Sequence, residues 1–244
     1  MTYSTKKNIK SACIIGSTSE VAISICIELA KTGCIRFHLI SRIANDNKEL
    51  ISLLRDSYKA AVTTEELNLE TNMNCYLKIA SYDLYLITIG YLGDTQIANK
   101  NIQESLRIAW INYNGLIPIL FEITKSDRVS KPGRLWVFTS VAGDRGKASN
   151  YQYGASKAAL SVFCEGLLMR CVDKPFCVRV IKAGFISTTM SKDKAPKFLS
   201  ISPKAVAKKL LKDPNKRGLE YLPWWWEFIM VIVKLLPVNL VSKM

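Results

Sequence analysis

The segment YQYGASKAA sets Tyr153 and Lys157 four residues apart, so on a helix the two side chains share one face, a single turn from each other. A phenol with an ordinary pKa of about 10 is a poor acid at neutral pH, but a neighbouring ammonium favours phenolate and draws that value down. The pair is therefore a tunable proton donor. Ser140, thirteen positions upstream, closes the apolar run RLWVFTS and opens the small-residue loop VAG. A hydroxyl at such a strand end could polarise a carbonyl. A lone Tyr-x-x-x-Lys is commonplace on amphipathic helices; the strand-end serine and a strand-plus-glycine opening of the chain give this one chemical meaning.

Those residues need a scaffold, and the hydrophobic pattern supplies one. SACIIG at 11–16 is a short apolar run ending in glycine, and Val21, Ile25 and Leu29 follow at helical spacing. An apolar run at Arg36 to Ile40 comes next, then a polar segment, a helix, and a strand at Tyr85 to Ile89. The pattern continues as a helix over 101–125, a strand at 134–139, a helix at 152–171, a strand at 176–181 and a last strand in GLEYLP. Such alternation predicts right-handed βαβ units in an α/β, doubly wound parallel sheet. In that fold ligands bind beyond the carboxyl ends of the strands, after positions 15, 40, 89, 139 and 182. With 244 residues, 49% hydrophobic and 22% charged, the chain can close one core. The expected organisation is a reductase domain over 1–223 and an apolar C-terminal segment over 224–244.

Gly16, Asn112, Ser140, Tyr153, Lys157 and Thr188 together resemble the short-chain dehydrogenase/reductase superfamily over almost the whole chain. The resemblance implies a Rossmann-like fold and NAD(P)-dependent interconversion of a ketone and a secondary alcohol. Tyr153 would be the general acid or base, Lys157 would hold the nicotinamide ribose and lower the Tyr153 pKa, and Ser140 would orient the carbonyl. Asn112, in INYNG, would support a proton-relay water. The implied cofactor contacts are Gly16, Ser17, Thr18, Glu20, Val21, Ser41, Arg42, Gly90, Tyr153, Lys157, Gly184, Ile186 and Thr188.

The chain departs from the family pattern at several points. The three-glycine phosphate loop is reduced to Gly16, with Glu20 and Ala22 at the other two sites. Ser17 and Glu20 form a capping-box pattern that would preserve an amide-rich helix start for pyrophosphate. ITIG replaces the usual Asn-Asn-Ala-Gly, and Ala183 stands for the proline before Gly184. Ser41-Arg42 replaces the acidic residue that binds the NAD ribose, which favours NADP(H) and leaves NAD(H) as the alternative.

GSTSEVA, IGYLGD and the extended C-terminus resemble a narrower group, the keto-sugar reductases of polysaccharide clusters typified by the reductase subunit of decaprenylphosphoryl-ribose epimerase. That likeness implies a keto sugar carried on a lipid phosphate. The alternatives are a soluble 3-ketoacyl or nucleotide-sugar substrate, or a non-catalytic cofactor-binding protein. WWWEFIMVIVKLL, between Pro223 and Pro237, predicts a helix of about 20 Å, too short for a hydrocarbon core of roughly 30 Å. Residues 224–236 are expected to lie in a membrane interface or a subunit interface of a homo-oligomer.

The net charge of +14 is concentrated partly in Lys192, Lys194, Lys197, Lys204, Lys208, Lys209, Lys212, Lys216 and Arg217, which suits an anionic bilayer surface. No aromatic–basic pattern accompanies it, so nucleic acid is not an expected partner. The seven cysteines read as reduced core thiols, the single histidine as a strand residue, and no metal site is expected. Lys6, Lys7 and Lys10 lead directly into a strand-like run with no signal-type apolar h-region, so the expected location is the cytoplasm, with the inner face of the membrane as the expected site of any bilayer contact.

Overall fold

The structure is a computed structural model that describes residues 8–71, 79–189 and 197–241. Its elements in order are β1 (Ser11–Ile15), α1 (Glu20–Lys31), β2 (Arg36–Ser41), α2 (Lys48–Ser52), β3 (Ala61–Glu66), β4 (Leu84–Ile87), α3 (Thr95–Ala98), α4 (Ile102–Asn112), α5 (Ile117–Ile123), α6 (Ser126–Val129), β5 (Gly133–Ser140), α7 (Tyr151–Arg170), β6 (Phe176–Ala183), β7 (Phe185–Ile186), β8 (Ser200–Ile201), α8 (Pro203–Lys212), β9 (Gly218–Leu222), α9 (Trp225–Leu235) and α10 (Val238–Val241). Seven strands form a parallel sheet in the order β3-β2-β1-β4-β5-β6-β9, and β7 and β8 form a separate parallel pair.

The central strands are apolar on both faces because helices cover both. Alternate residues go to opposite layers. Ile14, Leu39, Leu86, Trp136 and Ile181 pack with α1 and α8 through Ile25, Leu29, Val206 and Leu210. Ile15, Ile40, Ile87, Val137 and Val180 pack with α5 and α7 through Leu120, Leu160 and Cys164. The described cysteines Cys13, Cys26, Cys34, Cys164, Cys171 and Cys177 are free and buried in these layers. Strand order reverses between β1 and β4, and the loops there diverge to leave a crevice at the carboxyl edge.

Two elements differ from the sequence-based reading. The helix expected over 101–125 is broken at Tyr113, which leaves helical geometry at φ −143°, ψ −68°. Pro118 has no N–H to give the Asn114 carbonyl, so the chain restarts as α5 with proline in its first turn. The polar stretch AVTTEE is a strand, β3, pairing with β2 from Arg36↔Ala61 to Ser41↔Glu66. It forms the exposed sheet edge, where charged side chains belong and apolar alternation is lost.

On α8, Lys204, Lys208 and Lys212 form an exposed stripe at a spacing of four, while Val206, Ala207 and Leu210 face inward. Lys192 and Lys194 lie outside the described residues. Among the described residues no helix is long and apolar enough to cross a membrane.

The opposite edge of the sheet is pinned by a buried ion pair. Arg179 Nε on β6 donates to Glu220 on β9 at 2.5 Å, and the Arg179 guanidinium also reaches the Leu210 and Asp213 carbonyls at 3.0 and 2.9 Å. Burial pushes the Glu220 carboxyl up, but bonds from Arg179 and Lys216 together outweigh it and hold the group below its ordinary value. Glu220 therefore adds stability above its unfolded pKa of about 4.3, and that contribution is lost as pH falls through the lower folded value. Glu220→Ala should lower the unfolding free energy at neutral pH by roughly 3–5 kcal/mol, because it strands a buried guanidinium. Denaturant melts at descending pH should show that deficit shrinking.

Candidate active site

The carboxyl ends of β1, β2, β4, β5 and β6 border one cleft of about 1380 Å³, large enough for a dinucleotide and a substrate together. Every sequence-predicted site residue except Ser17 and Asn112 lines it: Gly16, Thr18, Glu20, Val21, Ser41, Arg42, Gly90, Ser140, Tyr153, Lys157, Gly184, Ile186 and Thr188.

At its centre Ser140 leaves β5 and Tyr153 stands in the first turn of α7, and the Ser140 hydroxyl is near enough to the Tyr153 phenol to favour its ionised form. Burial raises the Tyr153 phenol above its ordinary pKa, and the nearby Ser140 hydroxyl offsets this only in part. This reverses the direction expected from the Tyr153–Lys157 spacing. The reason is distance and solvent: Lys157 Nζ stands 5.9 Å from the Tyr153 ring centroid, and it is itself buried. Burial lowers Lys157 to about 8, and its Nζ donates to the Ile89 carbonyl at 3.1 Å.

Asn112 is wholly buried. Its Nδ2 donates to the Tyr91 and Ile108 carbonyls at 2.7 and 2.8 Å, and its Oδ1 accepts from Tyr91 N at 3.0 Å. Its side chain thus fixes the loop after β4, where Lys157 Nζ and Asn112 Oδ1 close on Gly90 from two sides.

The dinucleotide end is built differently from the sequence-based expectation. Gly16 has φ +89°, and a Cβ there would meet Thr88 Oγ1 at 2.9 Å and Ile89 N at 3.0 Å, so the chain can pass only as glycine. Thr88, where the family pattern has asparagine, donates to the Gly16 carbonyl at 2.9 Å and ties β4 to the β1 loop.

The capping box is not formed. Ser17 is buried and donates to the Ile40 carbonyl at 3.1 Å, while Ser19 is the N-cap and makes no side-chain cap bond. Glu20 instead accepts from Thr189 N and Thr189 Oγ1, both at 2.7 Å, which ties α1 to the loop after β7. The first-turn amides of α1 remain open to an anion. A buried asparagine that sequence reasoning missed, Asn47, donates to both Ser17 Oγ and Ser41 Oγ at 2.9 and 2.8 Å. Ser41 is thereby occupied, and Arg42 is the exposed group at the end of β2.

A wall of the cleft comes from the C-terminal helix. Trp226 and Met230 of α9 line it, and Trp226 meets Phe185 edge to face at 5.2 Å. Trp226 packs so closely on Gly184 that a Cβ there would fall 2.1 Å from its Nε1. The available signal was strand adjacency: β9 pairs with β6 as far as Ala183↔Leu222, so the residues just after Leu222 must lie beside Gly184.

The short chain dehydrogenase profile matches residues 10–198, most of the chain. This chain belongs to the short-chain dehydrogenase family. An uncharacterized oxidoreductase of Mycobacterium tuberculosis is 29% identical over 153 residues, 62% of this chain and 61% of that protein, so the match spans about three-fifths of that relative. A 3-oxoacyl-[acyl-carrier-protein] reductase of Rickettsia bellii is 24% identical over 185 residues, 75% of each chain. A solved 7β-hydroxysteroid dehydrogenase shares the short-chain dehydrogenase fold at TM-score 0.80 and 15% identity, covering 94% of this chain and 93% of its own.

Gly184→Ala should cost roughly 1–3 kcal/mol by overpacking against the Trp226 indole. Thermal melts of the single variants and of the Gly184→Ala/Trp226→Ala pair should show that penalty largely gone once the indole is removed. An equal penalty in both backgrounds would place the strain elsewhere.

Proposed function

We propose that this short-chain dehydrogenase is an NADP(H)-dependent reductase that interconverts a ketone and a secondary alcohol. The observation that carries the reading is the convergence of Ser140, Tyr153 and, one helical turn on, a buried Lys157 on one cleft at the carboxyl edge of the sheet. The residues fit a dinucleotide: Gly16 and the open amides of α1 suit pyrophosphate, Arg42 suits a 2′-phosphate, and Gly90, Lys157, Gly184, Ile186 and Thr188 border the nicotinamide end. When bound, the nicotinamide supplies or takes a hydride at the carbonyl carbon.

The chain's own groups handle the oxygen. Ser140 holds the carbonyl oxygen and Tyr153 gives it a proton, so hydride plus proton yields the alcohol. A raised phenol pKa keeps Tyr153 in its donor form at neutral pH, which suits reduction. Lys157 orients the ribose and returns a proton toward Tyr153, with Asn112 holding the adjoining loop.

For substrate we favour a keto sugar on a lipid phosphate, met at the inner face of the cytoplasmic membrane. Support comes from α9. Its inner residues line the cleft, while Trp224, Phe228, Val231, Ile232 and Leu235 form an exposed apolar stripe at helical spacing. Such a helix suits in-plane contact with a bilayer. The Rickettsia bellii relative supports a second reading, reduction of a soluble 3-ketoacyl group. Exposed Ile102 and Leu106 on α4, beside Tyr151, Val162 and Met169 on α7, support a homo-oligomer through a different face.

Tyr153→Phe should lower turnover by about a hundredfold or more while leaving NADPH binding, read by cofactor fluorescence, unchanged; undiminished turnover would remove the proton-donor role. In the wild type, kcat/KM for NADPH, which reports the free enzyme, should fall as pH rises through about 8 and Lys157 loses its charge. Co-sedimentation with anionic vesicles should be lost in Phe228→Glu/Ile232→Glu, whereas retention by that variant would exclude α9 as the contact.

A further inference from the structure

The charged groups lining the cleft divide by sign. Its carboxylates are all engaged by protein donors: Glu20 by Thr189, Glu70 by Arg107 at 3.0 Å, and Asp94 by Gln96 N and Ile97 N at 2.8 and 3.1 Å. Two of its cations meet no carboxylate among the described residues. Arg145 and Lys147 lie between Ser140 and Tyr153 in the chain, line the same cleft, and are ion-paired with no carboxylate among the described residues. Their acidic neighbour Asp144 is turned away, bound by Lys182 Nζ and Tyr221 Oη, both at 2.6 Å.

The loop that carries them is firmly seated. A Cβ at Gly143 would fall 2.7 Å from Ala158 N, and one at Gly154 would fall 2.7 Å from the Ala142 carbonyl oxygen. Ala142 and Gly143 therefore lie directly on the first turns of α7, and Arg145 and Lys147 follow in the same loop and line the same cleft. Arg145 also reaches the end of α9, where its Nη2 donates to the Leu236 carbonyl at 3.1 Å. Its other guanidinium donors meet no acceptor among the described residues, and the apolar stripe of Ile232 and Leu235 begins one turn away on α9.

We propose that Arg145 and Lys147 form the substrate's anion subsite and take a phosphate that the substrate carries beyond its reacting carbonyl, with an apolar chain running onto the outer face of α9. A guanidinium fork and a lysine point charge together match the oxygens of a phosphate group. Two cations with no carboxylate partner among the described residues lower the cost of desolvating such a group, whereas a neutral substrate would leave both facing the cleft without a counter-charge. The assignment rests on the reading that Ser140 and Tyr153 face the reacting carbonyl, and it adds which chemistry must extend from that carbonyl.

The test is calorimetry on the full chain saturated with NADPH, so that the pyrophosphate cradle and Arg42 are already occupied. The probes are n-decyl phosphate, inorganic phosphate and n-decanol. Decyl phosphate should bind, Lys147→Gln should weaken it on the order of tenfold, and Arg145→Gln/Lys147→Gln should weaken it further. Lys147 makes no side-chain bond among the described residues, so its variant tests the subsite without risk to the fold. Inorganic phosphate should bind more weakly with the same dependence on both residues. Inorganic phosphate binding as tightly as decyl phosphate would overturn the apolar extension. Decyl phosphate binding that is absent, or equal in wild type and double variant, would overturn the subsite. Phosphate binding that needs both cations, in a protein that reduces no ketone, would sink the reductase reading and leave the subsite standing.

Discussion

The reversal of strand order between β1 and β4 creates the space in which everything else is placed. At that point the β1 loop turns toward β2 while the β4 loop turns toward β5, so the backbone opens instead of closing over the sheet. The crevice must still be held at a fixed width, and small polar contacts do this. Thr88 bonds the Gly16 carbonyl across the split, Asn47 joins Ser17 to Ser41, and Asn112 clamps Tyr91. Each satisfies backbone or hydroxyl groups that the divergent loops would otherwise leave unpaired in a dry setting. At Thr88, where the family pattern has asparagine, a hydroxyl bonds the Gly16 carbonyl and holds the β1 and β4 loops together.

Burial of the proton-handling groups sets their character. Tyr153 and Lys157 both lose water to the packing of α7 on β5, and both shift toward their neutral forms. A neutral phenol is a donor, and a lysine near 8 can both hold and release a proton close to neutral pH. The close pair that chain spacing suggests is in three dimensions two separate groups on one cleft, with Lys157 Nζ 5.9 Å from the Tyr153 ring centroid and bonded to the Ile89 carbonyl.

The C-terminal helix shows how one segment can serve two solvents. Its inner residues Trp226, Met230 and Val233 bury against Phe185, Leu199 and Tyr221, while its outer stripe stays exposed. Among the described residues the buried Trp226 indole N–H meets no hydrogen-bond acceptor. The same helix thus shapes the cleft and presents an apolar surface outside it. A substrate with a polar reacting end and an apolar tail would touch both.

By itself the sequence determined the alternation of strands and helices, the strand ends that border the cleft, and the convergence of Ser140, Tyr153 and Lys157 on it. These rest on local hydrophobic period and on spacing along one chain segment, which survive in any context. Gly16 was also legible, because a glycine between a strand and a helix has a local backbone reason. The roles of Glu20, Thr88, Asn47 and Trp226 were not, since each acts on a partner far along the chain: Glu20 on Thr189, Thr88 on Gly16, Asn47 on Ser17, Trp226 on Gly184. The direction of the Tyr153 shift belongs to the same class. Spacing reports which charges are near, but only packing reports how much water is removed, and here desolvation is the larger influence.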